Sequence, residues 1–168
     1  MKIQAMVLTG ILGLAAAGAL YAGTAADDVE VSGAYARAVP PGQPNSAAFL
    51  TLSNKSGTDH RLVDAASPAA KVVELHTHIN DNGMMKMRRV NGIDVPAGKV
   101  TKLQPGGYHV MLIGLTRDLK PGEAVELTLL FNDGSEIRTA APVQKLQMKM
   151  MKHDSGAMQH QGGKMMMK

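Results

Sequence analysis

Val72-Val73-Glu74-Leu75-His76-Thr77-His78-Ile79-Asn80-Asp81-Asn82-Gly83-Met84-Met85-Lys86-Met87-Arg88-Arg89-Val90 reads as two extended segments hinged on a turn. The β-rich runs 72–79 and 84–90 flank Asn80-Asp81-Asn82-Gly83, and Asn-Gly is a strong hairpin signal because both residues tolerate positive φ. If all four residues form the loop, Ile79 pairs with Met84 and His76 stands directly opposite Met87. Their Cβ atoms would then lie about 5 Å apart, close enough to chelate. A two-residue Asn82-Gly83 loop moves the register by two and sets His78 opposite Met87, which makes His78 the reserve candidate.

Downstream, Gly107-Tyr108-His109-Val110-Met111-Leu112-Ile113 reads as another strand. Residues two apart share a strand face, so His109 and Met111 point the same way with Cβ atoms on the order of 7 Å apart. The donor types belong together chemically. A Met thioether is soft, neutral and polarizable, and imidazole is borderline, so a mixed set favours Cu(I) over hard cations that seek carboxylates. Neither donor needs to ionise, so binding releases few protons, and neither carries the oxidation liability of a thiolate.

One Met at strand spacing usually belongs to a core, and one strand His is usually a satisfied polar group. The joint pattern of two His and two Met on three strands points instead to a metal site. At these residues the chain resembles the periplasmic copper chaperone family PCuAC, whose signature is His, ten residues, Met, twenty-one residues, then His-any-Met. His76, Met87, His109 and Met111 match it position for position. The resemblance runs over about residues 29–143. It includes Ala36-Arg37-Ala38 before Pro40-Pro41-Gly42, Ser46-Ala47-Ala48-Phe49-Leu50-Thr51-Leu52-Ser53-Asn54, and Leu103-Gln104-Pro105-Gly106-Gly107-Tyr108-His109-Val110-Met111.

That resemblance implies a cupredoxin-like β-sandwich or barrel with the four donors near one end. It also implies a Cu(I) chaperone delivering to a cuproenzyme, in the family's case the CuA centre of cytochrome c oxidase subunit II, or to another copper chaperone. The residues independently predict an all-β antiparallel sandwich. Short runs at 29–36, 46–53, 61–65, 72–79, 84–90, 100–103, 108–115, 124–131 and 136–140 are separated by turn signals, and helical periodicity is weak.

Three segments are expected. Residues 1–26 read as a cleavable signal peptide, with Lys2, an apolar stretch over 3–20 and small residues at Ala22-Gly23-Thr24-Ala25-Ala26. Cleavage after Ala22, Ala25 or Ala26 is open, and the expected location is the periplasm, with no stable membrane insertion afterwards. Residues 27–144 form the β-domain, expected to be a monomer. Residues 145–168 carry seven Met, two His, five Lys and one Asp, with no aromatic or β-branched residue, so they cannot build a core and are expected to be a disordered tail. His153, His160, Met148, Met150, Met151 and Met158 are candidates there for an auxiliary copper site, the two His with backbone groups suiting Cu(II); the family resemblance implies the same.

Composition narrows the function further. With no Cys among 168 residues, a lipobox, a disulfide framework and a blue-copper electron carrier are all excluded. The basic charge is concentrated in the tail without aromatic platforms, which argues against nucleic acid as a partner. No nucleophile elbow, His-Glu-x-x-His helix or phosphate loop appears, and a hydrolytic site on Glu74, His76 and His78 would be poorly served by the adjacent Met residues, so no enzyme is expected. A periplasmic protein that only sequesters copper for tolerance is the alternative to a chaperone.

Overall fold

The computed structural model describes residues 23–145. A four-residue helix α1 (Ala25–Asp28) leads into ten strands: β1 (Val29–Arg37), β2 (Asn45–Asn54), β3 (His60–Ala66), β4 (Ala70–Asp81), β5 (Met84–Arg89), β6 (Ile93–Val95), β7 (Val100–Leu103), β8 (His109–Leu115), β9 (Ala124–Phe131) and β10 (Glu136–Gln144). Hydrogen bonding orders them β5-β4-β8-β2-β1-β10-β9-β3-β6, with β7 also on β2. All pairs are antiparallel except β1 with β10, which is parallel at Ala36↔Val143 and Arg37↔Gln144. The all-β sandwich expected from the run of short strands is the architecture observed. Among the described residues no helix is long and apolar enough to cross a membrane.

Period-2 alternation builds the core. In β9, Val125, Leu127, Leu129 and Phe131 are buried while Ala124 and Glu126 are exposed. Leu50, Leu52, Leu75, Val110 and Leu112 meet them from the other layer within one buried cluster. Each such side chain contributes on the order of 2 kcal/mol by leaving water. Since Leu75, Val110 and Leu112 face this core, the residues between them on β4 and β8 must face the opposite side of the sheet.

Four details depart from the sequence expectation. The hairpin loop has two residues rather than four: Asp81 pairs with Met84 and His78 with Met87, while His76 stands opposite Arg89. Asn82 (φ 53°) and Gly83 (φ 85°) both take the left-handed conformation of a type I′ turn, whose twist suits the flanking strands. The Gly83 N–H donates to Asn80 Oδ1 at 2.7 Å, and Lys86 pairs with Asp81 at 2.6 Å, closing the hairpin on this register. His76 opposite Met87 is therefore corrected to His78 opposite Met87.

β10 also runs past Ala140, because Pro142 sits where the strand leaves β9 for β1 and its missing N–H interrupts little. The three-residue β6, between Gly92 and Pro96, is too short to show periodicity. α1 spans the expected boundary at residue 26. Its Ala25 is fully buried, the Ala25 N–H donates to Asp133 Oδ2 at 2.6 Å and the Ala26 N–H to Ser135 Oγ at 3.1 Å, while Thr24 and Asp27 form a capping box. Residues 1–22 and 146–168, with the tail candidates Met148, Met150, Met151, His153, Met158 and His160, lie outside the described residues.

A chain beginning at Asp27 loses the cap, a buried methyl and the Ala25 hydrogen bond. It is expected to be about 2 kcal/mol less stable in denaturant unfolding than one beginning at Gly23. Equal midpoints for the two chains would show that α1 is not part of the folded body.

Candidate metal centre

The donors are laid out by the strand ladder. Between β4 and β8, His76 pairs with His109 and Glu74 with Met111. Between β4 and β5, His78 pairs with Met87. Between β8 and β2, Met111 pairs with Ala47. One sheet face, turned away from the core, thus carries Glu74, His76, His78, Met87, His109 and Met111 over three adjacent strands.

A cavity of about 390 Å³ opens over this face, and His78, Met87, His109 and Met111 line it together with Arg37, Phe49 and Pro105. Met87 is 46% exposed and His109 only 2%. The His109 ring is covered by Phe49, centroids 6.2 Å apart, and Phe49 is backed by Tyr35 at 5.1 Å. The His78 and His76 rings lie 5.2 and 5.8 Å from His109. His76 borders the site without lining the cavity. Met87, His109 and Met111 thus line one cavity, His78 lines it with them, and His76 adjoins it.

Hydrogen bonds fix the tautomers. The Gly107 carbonyl can only accept, so the 3.0 Å contact from His109 Nδ1 places the proton there and leaves the Nε2 lone pair free. The ionised Glu74 carboxylate likewise only accepts; its Oε2 lies 2.7 Å from His76 Nε2, so that nitrogen donates, and in the neutral ring the lone pair is on Nδ1. His76 Nδ1 is buried without a hydrogen-bond partner, and so is His78 Nδ1. A buried polar atom without a partner is costly, and a bound ion would satisfy it. A carboxylate behind a histidine is also the usual way a ligating ring is held in place.

Glu74 in turn pairs with Arg89 Nη1 at 3.3 Å. The hydrogen bond from His76 holds the Glu74 carboxyl below its ordinary pKa; burial opposes this and Arg89 assists it. Among the described residues no group of three or more His, Cys, Asp or Glu side chains is arranged to hold a metal ion. Met87 and Met111 present thioether sulfur to the cavity, a donor type that fits Cu(I) and disfavours hard cations.

The sequence expectation omitted Glu74 and Gly107 as orienting partners and Arg37 and Phe49 as walls. Glu74 could have been found, since it is two residues from His76 and shares its face. Arg37 and Phe49 come from strands distant in sequence, and nothing local marks them.

Burial depresses the His109 pKa below 6.5; the Gly107 hydrogen bond opposes this, and repulsion from His78 and His76 adds to it. With the folded value below the unfolded one, His109's contribution to stability is complete above the ordinary imidazole range and is lost as pH falls through that range toward the folded value. An NMR titration of the metal-free protein should give His109 a midpoint under 6.5. A midpoint at or above that value would mean the ring is not buried as described.

Comparison with known proteins agrees with this fold. The model of the family described as "Putative lipoprotein LpqE-like" matches residues 29–143. A protein of Leifsonia xyli subsp. xyli described as "Putative lipoprotein Lxx21020" is 38% identical over 143 residues, 83% of this chain and 85% of its own. The solution structure of apo-DR1885 from Deinococcus radiodurans is similar with a TM-score of 0.57 and 41% identity, covering 86% of this chain and 97% of that one. The solution structure of Cu(I)-DR1885 is 43% identical with a TM-score of 0.57, covering 68% and 77%. A copper-bound PCuAC domain from PmoF2 shares the fold, with a TM-score of 0.60 and 23% identity over 70% of this chain and 93% of that one. On the family match and the Leifsonia relative, this chain belongs to the LpqE-like family.

Proposed function

We propose that this protein is an exported Cu(I) metallochaperone of the PCuAC type, and that His76, Met87, His109 and Met111 hold its cargo. The observation carrying this reading is the convergence of two thioethers on an imidazole whose tautomer is already set, at a cavity open to solvent. The solved Cu(I) form of DR1885, 43% identical to this chain, supports the same cargo.

His109 offers Nε2, His76 offers Nδ1, and Met87 and Met111 offer sulfur. Gly107 and Glu74 hold the two rings in register, so little ordering is left for the binding step. Phe49 and Tyr35 shield the inner side, whereas Met87 remains exposed and releasable. Such a site carries an ion and makes or breaks no substrate bond, so the protein acts as a carrier and not as an enzyme. Release proceeds by stepwise replacement of these donors with a partner's ligands, and the proposed acceptor is a cuproenzyme such as the CuA subunit of cytochrome c oxidase. The Met- and His-rich residues 145–168 would gather copper for the main site.

The proposed route out of the cytoplasm is a leader removed after Ala22. That position spares Thr24, Ala25 and Ala26, which are built into the folded body. The sequence contains no cysteine for lipid attachment, so a soluble periplasmic form is proposed although relatives are described as lipoproteins.

Competition titration with a Cu(I) chelator tests the site. Met111→Leu keeps volume and removes the sulfur. It is expected to weaken Cu(I) binding at least tenfold, about 1.4 kcal/mol, with an unchanged circular dichroism spectrum; Met87→Leu is expected to act in the same direction. Unchanged affinity in both would remove the assignment. Transfer from the loaded protein to an apo oxidase subunit separates a chaperone from a copper buffer, which would bind but not deliver.

A further inference from the structure

The face carrying the site holds one more imidazole than a four-donor Cu(I) site uses. His76 occupies the middle of the ladder, opposite both Arg89 and His109, with its side chain 15% exposed and Nε2 tied to Glu74 at 2.7 Å. His78 stands one pleat closer to the turn, directly opposite Met87, and lines the open cavity that His76 does not reach. Its ring lies 5.2 Å from His109, the nearer of the two β4 histidines, and its Nδ1 is buried without a hydrogen-bond partner. β5, which supplies Met87, is an edge strand, so this corner is also the one a partner can approach.

We propose that His78 is an exchange ligand: with Met87 it holds Cu(I) at the cavity mouth between the settled position at His76 and the partner. In the outward step a bond from copper to His78 Nδ1 forms as the bond to His76 Nδ1 breaks. Copper stays Cu(I), both imidazoles stay neutral, and neither a proton nor an electron moves. Soft d¹⁰ copper lacks a strong geometric demand, so a sliding change of nitrogen donor costs little compared with leaving the protein unligated. The resident position favours His76 because the Glu74–Arg89 pair fixes that ring, whereas His78 has no carboxylate hydrogen bond among those found for the described residues.

This inference rests on the Cu(I) reading above, and one experiment separates the two. The full mature chain, loaded with less than one equivalent of Cu(I), is mixed in a stopped-flow instrument with excess bathocuproine disulfonate, and equilibrium affinities are measured by competition. His78→Asn is expected to slow copper transfer at least tenfold while changing affinity less than threefold. His76→Asn is expected to lower affinity at least tenfold. If His78→Asn lowers affinity as much as His76→Asn does, His78 is a resident ligand and the exchange role is wrong. Unchanged affinity and unchanged rate would also overturn it. If His76→Asn, Met87→Leu and Met111→Leu all leave affinity unaltered, the copper site itself fails, a result distinct from either outcome at His78.

Discussion

The pairing of β4 with β8 is the constraint on which the candidate centre depends. It sets His76 beside His109 and Glu74 beside Met111, and at the same time buries Leu75 against Val110. A slip of one residue would turn the imidazoles into the core and expose the leucine and valine, so apolar burial and donor placement enforce the same register. The Asn82-Gly83 turn then fixes the third strand by bringing Met87 to His78. Packing free energy spread over the whole sandwich is thereby used to hold a few donors that have little affinity for one another.

Holding neutral polar rings at a partly buried face is costly unless each nitrogen is accounted for. Here one nitrogen of His76 and one of His109 are satisfied by oxygen acceptors, and the others are the ones proposed to take the cargo. Burial of His109 lowers its proton affinity and so would reduce competition from protons at Nε2, the nitrogen proposed to bind copper. Thioethers complete the set without any ionisable group. The chemistry suits an oxidising compartment in a chain that has no thiol.

Much of this was legible in the sequence because strand alternation and turn residues are local signals. Val125, Leu127, Leu129 and Phe131 announce β9, and Asn132-Asp133-Gly134 announces the turn after it. His109 and Met111 could be placed on one face from spacing alone. The hairpin register could not, since Asn80-Asp81-Asn82-Gly83 satisfies both a four-residue and a two-residue loop, and only the adopted φ values and the Lys86–Asp81 pair distinguish them. Walls such as Arg37 on β1 and Phe49 on β2 depend on β1 pairing with β2 and β2 with β8, long-range contacts without a local signature. α1 was obscured for another reason: small residues suited to leader cleavage are also small enough to pack beneath Asp133.

X-ray absorption at the copper edge of the Cu(I)-loaded protein, at less than one equivalent, probes the coordination sphere most directly. Two sulfur and one or two imidazole nitrogen scatterers around a single Cu(I), with the sulfur contribution halved in Met111→Leu, is the expected result. A shell of nitrogen and oxygen alone, or one unchanged by that substitution, would contradict a shared His and Met site.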